Sequence, residues 1–553
     1  MLETGKSFDA ALAVTRAGNI FTTHTPVDAG FDRFAPELVA RYLGDYAADL
    51  GLSMRDLLAL GRRDRNDGGE PFNMAYLAMR GWNRVNGVSR LHGHVSRGIF
   101  QPLYPRWPAC EVPVGHVTNG VHVPTWQSRE AAAVWEAACG RHCWTKQGTE
   151  IAPDFAGITD EQLWELRTSS RRGLVEYARK RLARQRAAQG ASPRQIAQAG
   201  RVLDFDTLTL GFARRFAAYK RPNLLLSDPD RLIRLLTDAR RPVQLVLAGK
   251  AHPQDEYGRK LIREWHDFLR RPEAGSRIVF LSDYDMLLTQ QLVQSVDVWI
   301  NTPRRPWEAS GTSGMKTLVN GGLNLSELDG WWAEAYAPDA GWALGDGREH
   351  DGDPAWDRAE AGALYSLLER EVVPLFYTRD ERGIPRGWVA KMRESMSRLT
   401  PEFSAARVVR QYAEDHYLPA AAAYAARAAD GGKVGDKLVE WRRALTQKWP
   451  HLRFGSVRAE SRDGRHMFEA EVYLDEVAPE DVRVELYAEP RDGGDPVRQL
   501  MTRGEAYVGS AGGCVYRATV PADRPAGDYT PRIIAYRDDV AVPLETALIL
   551  WQR

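Results

Sequence analysis

The chain reads Leu208-Thr209-Leu210-Gly211-Phe212-Ala213-Arg214-Arg215 where an apolar stretch gives way to two arginines. Residues 208–213 are apolar enough for a strand buried on both faces of a sheet. From here helices are predicted over 223–239, 255–271 and 286–295, and strands over 243–247, 277–281 and 297–300. Strands that alternate with helices predict a parallel sheet covered by helices on both faces, and so an α/β fold.

Basic side chains crowd the carboxyl end of this first strand. They are Arg214, Arg215, Lys220 and Arg221. Guanidinium and ammonium groups suit phosphate oxygens, although a run of charge is more often a solvated face. Because ligands collect beyond the carboxyl ends of parallel strands, this cluster is a candidate anion site.

A second candidate is the glycine-rich stretch Glu308-Ala309-Ser310-Gly311-Thr312-Ser313-Gly314-Met315-Lys316. Its small residues allow a tight turn that aims amide hydrogens at an anion, with Lys316 one helical turn further on. A glycine cap on an ordinary helix with a solvated lysine is the equal alternative for this stretch alone. Since the basic cluster shares its edge of the sheet, the two stretches together predict two phosphate groups, or one phosphate bound from two sides.

The rest of the chain predicts flanking domains. Ahead of the sheet we expect a strand over 20–25 that carries His24, a strand and surface loop over 112–122, and a linker or crossover near 189–202. Helices are predicted over 7–18, 36–49, 53–61 and 160–188, and after the sheet over 358–377, 386–398 and 402–427. The predicted domains are 1–200, a partial α/β domain; 201–432, a Rossmann-like domain with crossover helices; and 433–553, a linker helix and accessory domain.

The last hundred residues or so change character. Short alternating strands, with turn clusters at 491–494 and 511–513 and a hinge at 431–435 before them, predict a small β-sandwich. Trp551 in this domain is expected to dock or pack rather than to stack on a ligand.

Composition narrows the class of protein. The 553 residues carry 74 Lys and Arg against 73 Asp and Glu, and a formal charge of +1 argues against a nucleic-acid or membrane-surface partner. No run approaches the ~18 apolar residues of a membrane span, and the first residues lack the apolar core of a signal peptide. The cytoplasm is therefore the expected location.

Four cysteines fit that compartment. Cys139 and Cys143 lie one helical turn apart with His142 between them. No paired CxxC spacing accompanies them, so buried free thiols are favoured over a zinc site and no metal is predicted.

With both candidate stretches in view, the chain resembles the α-glucan phosphorylases, the glycogen and maltodextrin phosphorylase family, in its shorter bacterial branch. The resemblance spans roughly residues 7–430 and rests on five blocks in order: 23–25, 85–92, 214–221, 308–316 and 320–330. It implies a glycosyltransferase-B-like fold, two Rossmann-type α/β domains facing across a cleft with the first incomplete, followed by the C-terminal β-sandwich.

The resemblance also implies a cofactor, pyridoxal 5'-phosphate, held as a Schiff base by Lys316. Gly311, Thr312, Ser313 and Gly314 would lie at its phosphate, Tyr284 would lie near it, and Arg214 stands where many members have lysine.

Substrate contacts follow from the same resemblance. Arg215 and Lys220 would bind inorganic phosphate, and the glucosyl unit would contact His24, Asn86, Tyr219, Glu308, Ser310 and Gly311. The implied catalytic residues are Lys220, Arg215, His24 and Lys316.

The implied reaction transfers the terminal α-1,4-linked glucosyl unit of a glucan to inorganic phosphate, with retention, to give α-D-glucose 1-phosphate. The cofactor phosphate would relay the proton, since its second pKa of about 6 lets it exchange protons near neutrality. Crowded cations would hold the two phosphates together. Glucan and phosphate are the expected partners, with a homodimer or a separately encoded N-terminal portion as the protein partner.

One departure from the family is large. Only 23 residues precede His24, where the family has a long N-terminal region with a glycine-rich loop. We therefore expect a truncated chain with an exposed sheet edge. A non-catalytic glucan-binding fragment is one rival interpretation. A nucleotide-sugar glucosyltransferase of the same fold is another, disfavoured because it needs no pyridoxal lysine.

Overall fold

The computed structural model of the protein describes residues 5–145, 151–491, 494–506 and 513–552. Its architecture is mixed α/β, with a six-stranded parallel sheet at the centre, a small parallel sheet before it and two antiparallel sheets after it. The α/β class predicted from the alternation is confirmed. The predicted turn clusters at 491–494 and 511–513 fall partly outside the described residues.

The first part of the chain forms a small sheet with order β1-β4-β5 and a two-stranded ribbon, β2-β3. The strands are β1 (Ile20–Thr22), β2 (Arg33–Phe34), β3 (Phe72–Asn73), β4 (Arg84–Gly87) and β5 (Gly115–His116). The helices are α1 (Phe8–Thr15), α2 (Pro36–Asp49), α3 (Met54–Ala59), α4 (Met74–Gly81), α5 (Arg90–Phe100), α6 (Val123–Trp126), α7 (Arg129–Cys139), α8 (Asp160–Ala188) and α9 (Pro193–Ala199).

One expectation for this part is corrected. The surface loop predicted within 112–122 is largely buried, because Asn119 N donates to Val88 O at 3.0 Å and Val121 N donates to Phe403 O at 2.9 Å. The predicted linker contains helix α9, which starts with a capping box formed by Ser192 and Gln195.

The central sheet has the order β11-β10-β9-β6-β7-β8. Its strands are β6 (Leu208–Ala213), β7 (Val243–Ala248), β8 (Ile278–Leu281), β9 (Val298–Asn301), β10 (Leu323–Glu327) and β11 (Gly341–Leu344). Its helices are α10 (Pro229–Thr237), α11 (Glu256–Phe268), α12 (Met286–Ser295), α13 (Thr312–Leu318) and α14 (Trp332–Ala335). The chain leaves β6 in one direction and returns to β9 on the other side, so the strand order reverses between these neighbours. Such a switch point opens a crevice at the carboxyl ends of the strands.

Helix α8 joins the two α/β parts. It begins at a capping box of Thr159 and Gln162 and ends near the predicted residue 188. Its apolar side packs into the core of the central sheet, and its buried Arg171 pairs with Asp297 at 2.8 Å. The domain boundaries at 200 and 432 stay predictions.

Helices and short π-helical turns follow the central sheet. They are α15 (Pro354–Leu367), α16 (Val373–Tyr377), α17 (Arg386–Glu394), α18 (Thr400–Glu402), α19 (Ala405–Gln411) and α20 (Leu418–Lys448). Helix α20 is kinked at residues 429–432, where Gly431 has φ of +67° and Gly432 has φ of +75°. This kink begins just ahead of the predicted hinge at 431–435 and overlaps it.

The C-terminal part is a sandwich of two four-stranded antiparallel sheets around one apolar core. Its strands are β12 (Arg453–Arg462), β13 (Arg465–Tyr473), β14 (Val482–Ala488), β15 (Val497–Leu500), β16 (Thr502–Ala506), β17 (Gly513–Pro521), β18 (Thr530–Ala535) and β19 (Ile549–Trp551). The predicted sandwich is confirmed.

The sandwich docks on the first part of the chain. Buried Arg532 donates to Glu111 at 2.9 Å, and Trp551 Nε1 donates to Arg106 O at 2.9 Å. Trp551 therefore docks, as predicted. At the other end of this interface Arg16 donates to Leu544 O at 3.0 Å, and Arg427 pairs with Glu545 at 2.8 Å.

The cysteine prediction is wrong in part. Cys139 and Cys143 form a disulfide, whereas Cys110 and Cys514 are free. The chain turns back after α7 because Gly140 has φ of +80° and His142 has φ of +62°, which brings the two sulfurs together. Among the described residues, no helix combines the length and apolar character needed to cross a membrane.

Candidate active site

The candidate site lies at the switch point of the central sheet. Arg214 directly follows β6, and Asn301 is the last residue of β9. The Arg214 guanidinium donates to the Asn301 side chain across this boundary. The geometry therefore places the basic cluster where an α/β sheet binds ligands.

A pocket of about 380 Å³ opens here. It is lined by His24, Val88, Asn119, Ala213, Arg214, Arg215, Lys220, Tyr284, Glu308, Ala309, Ser310, Gly311, Thr312 and Ser313. Both candidate stretches found in the sequence thus share one pocket, together with the predicted histidine and tyrosine.

Glu308 is the electrostatic centre of the pocket. Its Oε2 lies 2.5 Å from Arg214 Nη2 and 3.1 Å from Lys220 Nζ. Burial alone would raise the pKa of the Glu308 carboxyl, but Arg214 and Lys220 outweigh it and hold that pKa below its usual range. Since Arg215 is exposed at the mouth, three cations face one carboxylate and the pocket favours a further anion.

The ammonium of Lys220 has a pKa below the ordinary lysine value. Burial, followed by the charge of Arg214, lowers the pKa of its ammonium to about 8, although Glu308 opposes the shift. Lys220 is 8% exposed. The ammonium is therefore charged at pH 7 but gives up its proton more easily than a surface lysine.

The loop that carries Glu308 is held from behind by Asp329 and the residue after it. Asp329 accepts from Glu308 N at 2.9 Å and from Gly330 N at 2.7 Å. Burial raises the pKa of Asp329 to about 7. Gly330 has φ of +53°, and a Cβ added there would lie 2.5 Å from Ser310 O, so only glycine fits.

Ser310 contributes an unused hydroxyl. The residue is 5% exposed, and among the described residues its Oγ has no hydrogen-bond partner. Because buried hydroxyls are normally hydrogen-bonded, this pocket-lining oxygen indicates a ligand contact. Next to it, Gly311 takes the left-handed conformation, with φ of +87°, and starts helix α13.

Lys316 lies on α13 behind the pocket. Its Nζ is 4.0 Å from the centroid of the Trp126 ring. Burial lowers the pKa of this amine, which favours the neutral, nucleophilic form. The helix is held at its end by Asn320, which accepts from Ser128 N at 2.7 Å and donates to Trp126 O at 3.0 Å.

Gly314 does not line the pocket but lets α13 approach β10. A Cβ at Gly314 would lie 2.3 Å from Asn324 Oδ1, and the Asn324 amide donates to Gly314 O at 3.2 Å. Tyr284 does line the pocket. Its hydroxyl donates to Ala213 O at 3.3 Å, and burial raises its pKa.

Two predicted sugar contacts lie away from the pocket lining. Asn86 is fully buried, where it accepts from the Thr22 hydroxyl at 3.0 Å and donates to Tyr412 Oη at 2.8 Å. Tyr219 stands beside Lys220, with its ring centroid 4.8 Å from Nζ. Their roles stay predictions.

Sequence reasoning missed Asn119, which lines the pocket together with the exposed His24. Its signal was the turn Thr118-Asn119-Gly120 after β5. It also missed Asn301. This residue directly follows the strand predicted over 297–300, and that position could have identified it.

Comparison with known proteins agrees with this geometry. Residues 64–336 match the family model described as carbohydrate phosphorylase, and residues 449–553 match the glycogen phosphorylase C-terminal domain. The first match contains both candidate stretches, and the second covers the β-sandwich.

Relatives match along the whole chain. It is 38% identical over 576 residues to the glycogen phosphorylase of Mycobacterium tuberculosis strain H37Rv, covering 99% of this chain and 64% of that protein. It is 34% identical over 560 residues to the maltodextrin phosphorylase of Thermococcus litoralis, covering 100% of this chain and 65% of that protein. The glycogen phosphorylase of Aquifex aeolicus is 39% identical over 421 residues, 75% of this chain and 59% of that protein.

The chain thus spans 59–65% of the length of these curated relatives. The two family models fall on the parts that carry the candidate pocket and the sandwich, in the order found here. The chain belongs to the carbohydrate phosphorylase family.

Proposed function

We propose that this chain carries the phosphate-handling half of an α-glucan phosphorylase. The reaction transfers the terminal α-1,4-linked glucosyl unit of glycogen or maltodextrin to inorganic phosphate, with retention, and yields α-D-glucose 1-phosphate. The observation that carries the proposal is the meeting of Arg214, Arg215 and Lys220 with Glu308 and the Ser310 hydroxyl around one pocket.

The pocket fits pyridoxal phosphate on three counts. Lys316 offers an amine whose pKa is lowered, Ser310 offers an unpartnered buried hydroxyl, and residues 311–314 provide a small-residue turn. When bound, the cofactor supplies a phosphate dianion that exchanges protons near pH 6. In this proposal Lys316, on the helix behind the pocket, would hold the cofactor. Gly311, Thr312 and Ser313 would lie at its phosphate with Gly314 just behind them, and Tyr284 would lie near it.

The basic side chains have separate roles in this proposal. Arg214 would neutralise the phosphate of the cofactor, while Lys220 and the exposed Arg215 would bind inorganic phosphate. Lys220 retains its proton below about pH 8 and so stays cationic in the neutral range. Glu308 keeps both cations oriented until an anion arrives.

Sugar binding is proposed for the other wall. His24 and Asn119 lie on the side of the first sheet, opposite Glu308 and Ser310. This arrangement supports two α/β units that face across a cleft, in the glycosyltransferase-B manner. Asn86 and Tyr219 are proposed as further sugar contacts on the family resemblance. A homodimer and a cytoplasmic location stay predictions.

The experiment is a phosphorolysis assay on the 553-residue chain. The chain is incubated with pyridoxal phosphate, a maltodextrin and inorganic phosphate, and α-glucose 1-phosphate is measured. Lys316→Ala should abolish the product, whereas Lys250→Ala should not, because Lys250 is exposed and does not line the pocket.

The rivals predict other outcomes. Glucan binding without phosphate-dependent product supports the glucan-binding fragment, and glucosyl transfer from a nucleotide sugar supports the glucosyltransferase. Equal product from Lys316→Ala and the unmodified chain contradicts the proposed role of Lys316.

A further inference from the structure

Arg221 is a buried cation directly behind the pocket. It is 7% exposed and follows Lys220 in the chain, yet it does not line the pocket. Its φ of +43° and ψ of 52° put it in the left-handed region, which a side chain with Cβ adopts only at a cost. Such a conformation persists where the surroundings over-determine it.

The neighbours of Arg221 hold it in place through hydrogen bonds to its whole guanidinium. Nε donates to Thr302 O at 3.0 Å, and Nη2 donates to Pro303 O at 2.9 Å and to Glu327 at 3.1 Å. Nη1 donates to Asp357 at 3.0 Å and also to Glu360. All five N–H donors of the fork are therefore used, which a lysine could not reproduce.

These acceptors lie on three separate elements. Thr302 and Pro303 belong to the segment after β9, Glu327 ends β10, and Asp357 and Glu360 lie on α15. One side chain thus joins the turn of residues 218–221 to two neighbouring strand ends and a covering helix.

Backbone contacts reinforce the same junction. Thr302 Oγ1 lies 3.2 Å from the carbonyl oxygens of Lys220 and Arg221. Arg304 N donates to Tyr219 O at 2.6 Å. The turn that carries Lys220 and the segment that leads to Glu308 are therefore clamped together just behind their side chains.

The charges of the cluster formed by Arg221, Arg304, Glu327, Asp357 and Glu360 balance one another. Arg304 pairs with Asp357 at 2.7 Å, which adds a second cation. Burial, together with the charge of Glu360, raises the pKa of Glu327 far above its usual range, so that carboxyl is protonated at pH 7. The two cations, Arg221 and Arg304, then face two carboxylates, Asp357 and Glu360. Arg221 is therefore charged in its buried position.

We propose that Arg221 is a positioning residue that sets Lys220 against Glu308 and so shapes the anion site. The identity of the anion, inorganic phosphate, rests on the proposed function; the positioning of Lys220 does not. Arg221 acts through Lys220 and does not touch the bound anion.

The experiment measures two properties of Arg221→Lys. The first is the pH midpoint of Lys220 acetylation, followed residue by residue by mass spectrometry. In the unmodified chain it should lie near 8, because burial and Arg214 lower it while Arg215 and Glu308 are the other charges that face the ammonium. In Arg221→Lys the ammonium should move into water, and the midpoint should rise toward the ordinary lysine value of about 10.4.

The second property is the affinity for inorganic phosphate by calorimetry at pH 6.5. Arg221→Lys should weaken it about tenfold, as expected for a loss of one well-placed charged hydrogen bond. Arg231→Lys is the matched control, since Arg231 forms a bidentate pair with Glu369 at 2.7 Å on a neighbouring helix. That variant makes the same arginine-to-lysine change in a bidentate pair away from the pocket and should change neither readout.

Asp357→Asn is the second variant. Asp357 is 30% exposed in its side chain and supplies only one of the acceptors of Arg221, the other oxygen accepting from Arg304, so this chain should fold and show a smaller shift in the same direction. An unchanged Lys220 midpoint in both variants overturns the proposal. A shifted midpoint in a chain that binds no phosphate supports the positioning role and contradicts the phosphate site of the proposed function.

Discussion

Lys220 and Glu308 form a buried ion pair, with Nζ 3.1 Å from Oε2, across the crevice where the central sheet reverses its strand order. Arg214 approaches the same oxygen at 2.5 Å. One carboxylate therefore holds two cations that the proposed reaction needs for phosphate.

Replacement of that carboxylate should separate stability from anion binding. Glu308→Gln leaves Arg214 and Lys220 buried without their counter-ion, which should lower the free energy of unfolding by about 3 kcal/mol. Because both cations become free for an added anion, the same variant should bind sulfate more tightly. Urea unfolding and calorimetry at pH 6.5 check the two effects, and weaker sulfate binding would contradict the competition between Glu308 and the anion.

Anion binding should depend on the proton of Lys220. Its pKa of about 8 means that the ammonium is charged at pH 7 and largely neutral at pH 9.5. Sulfate, a dianion throughout this range, should therefore bind less tightly as pH rises through about 8. Lys220→Arg stays charged and should show no such fall between pH 7 and pH 9.5; an equal fall in both chains assigns the titration to another group.

Gly330 should be irreplaceable for steric reasons. Its φ of +53° and the 2.5 Å approach of Ser310 O to an added Cβ mean that Gly330→Ala must shift the loop of Glu308. We expect a loss of at least about 2 kcal/mol of stability. Gly383→Ala is the control, because Gly383 has φ of +76° with open space around it and should cost only about 1 kcal/mol. Thermal unfolding of both variants makes the comparison.

Glu327→Gln should become relatively more stable as pH rises. The pKa of Glu327 is raised in the folded chain, so its contribution to stability is complete below the unfolded value of about 4.3 and is lost as pH increases. Glutamine resembles the protonated carboxyl and has no such loss. Between pH 5.5 and pH 7.5 the free energy of unfolding of Glu327→Gln should therefore rise, relative to that of the unmodified chain, by up to about 1.4 kcal/mol per pH unit. A difference independent of pH would mean that Glu327 is ionised in the fold.

The main secondary structure of the centre was predictable because its strands are apolar runs and its helices are bounded by polar caps. Helix α8 runs from Asp160 to Ala188 as its periodicity predicts, and β6 matches its predicted bounds. The cations at 214–220 and the turn at 308–313 also share a pocket as predicted, since strand ends of a parallel sheet meet at one edge.

The sequence could not predict in the same way that Asn119, rather than Asn86, lines the pocket. Asn86 lies in β4 and Asn119 follows β5, and each directly precedes a glycine. Asn86 is turned toward Tyr412, a residue more than three hundred positions away, whereas Asn119 is held by the backbone of Val88. Local sequence carries no sign of these distant partners.

The Arg221 cluster was hidden for the same reason. The neighbours of Arg221 come from three distant segments of the sequence: Arg304, Glu327, and Asp357 with Glu360. Their burial depends on how α15 covers the sheet, which no local pattern shows.

The contact between Arg16 and the carbonyl of Leu544 joins positions 528 residues apart. At 5–20 residues per second, a ribosome needs roughly 30–100 s to make the chain between them. During that interval the buried arginine and the short helix before it are without their final neighbours. The faces of α1 and Arg16 that α20 and the Leu544 segment cover therefore stay open until those segments have been made.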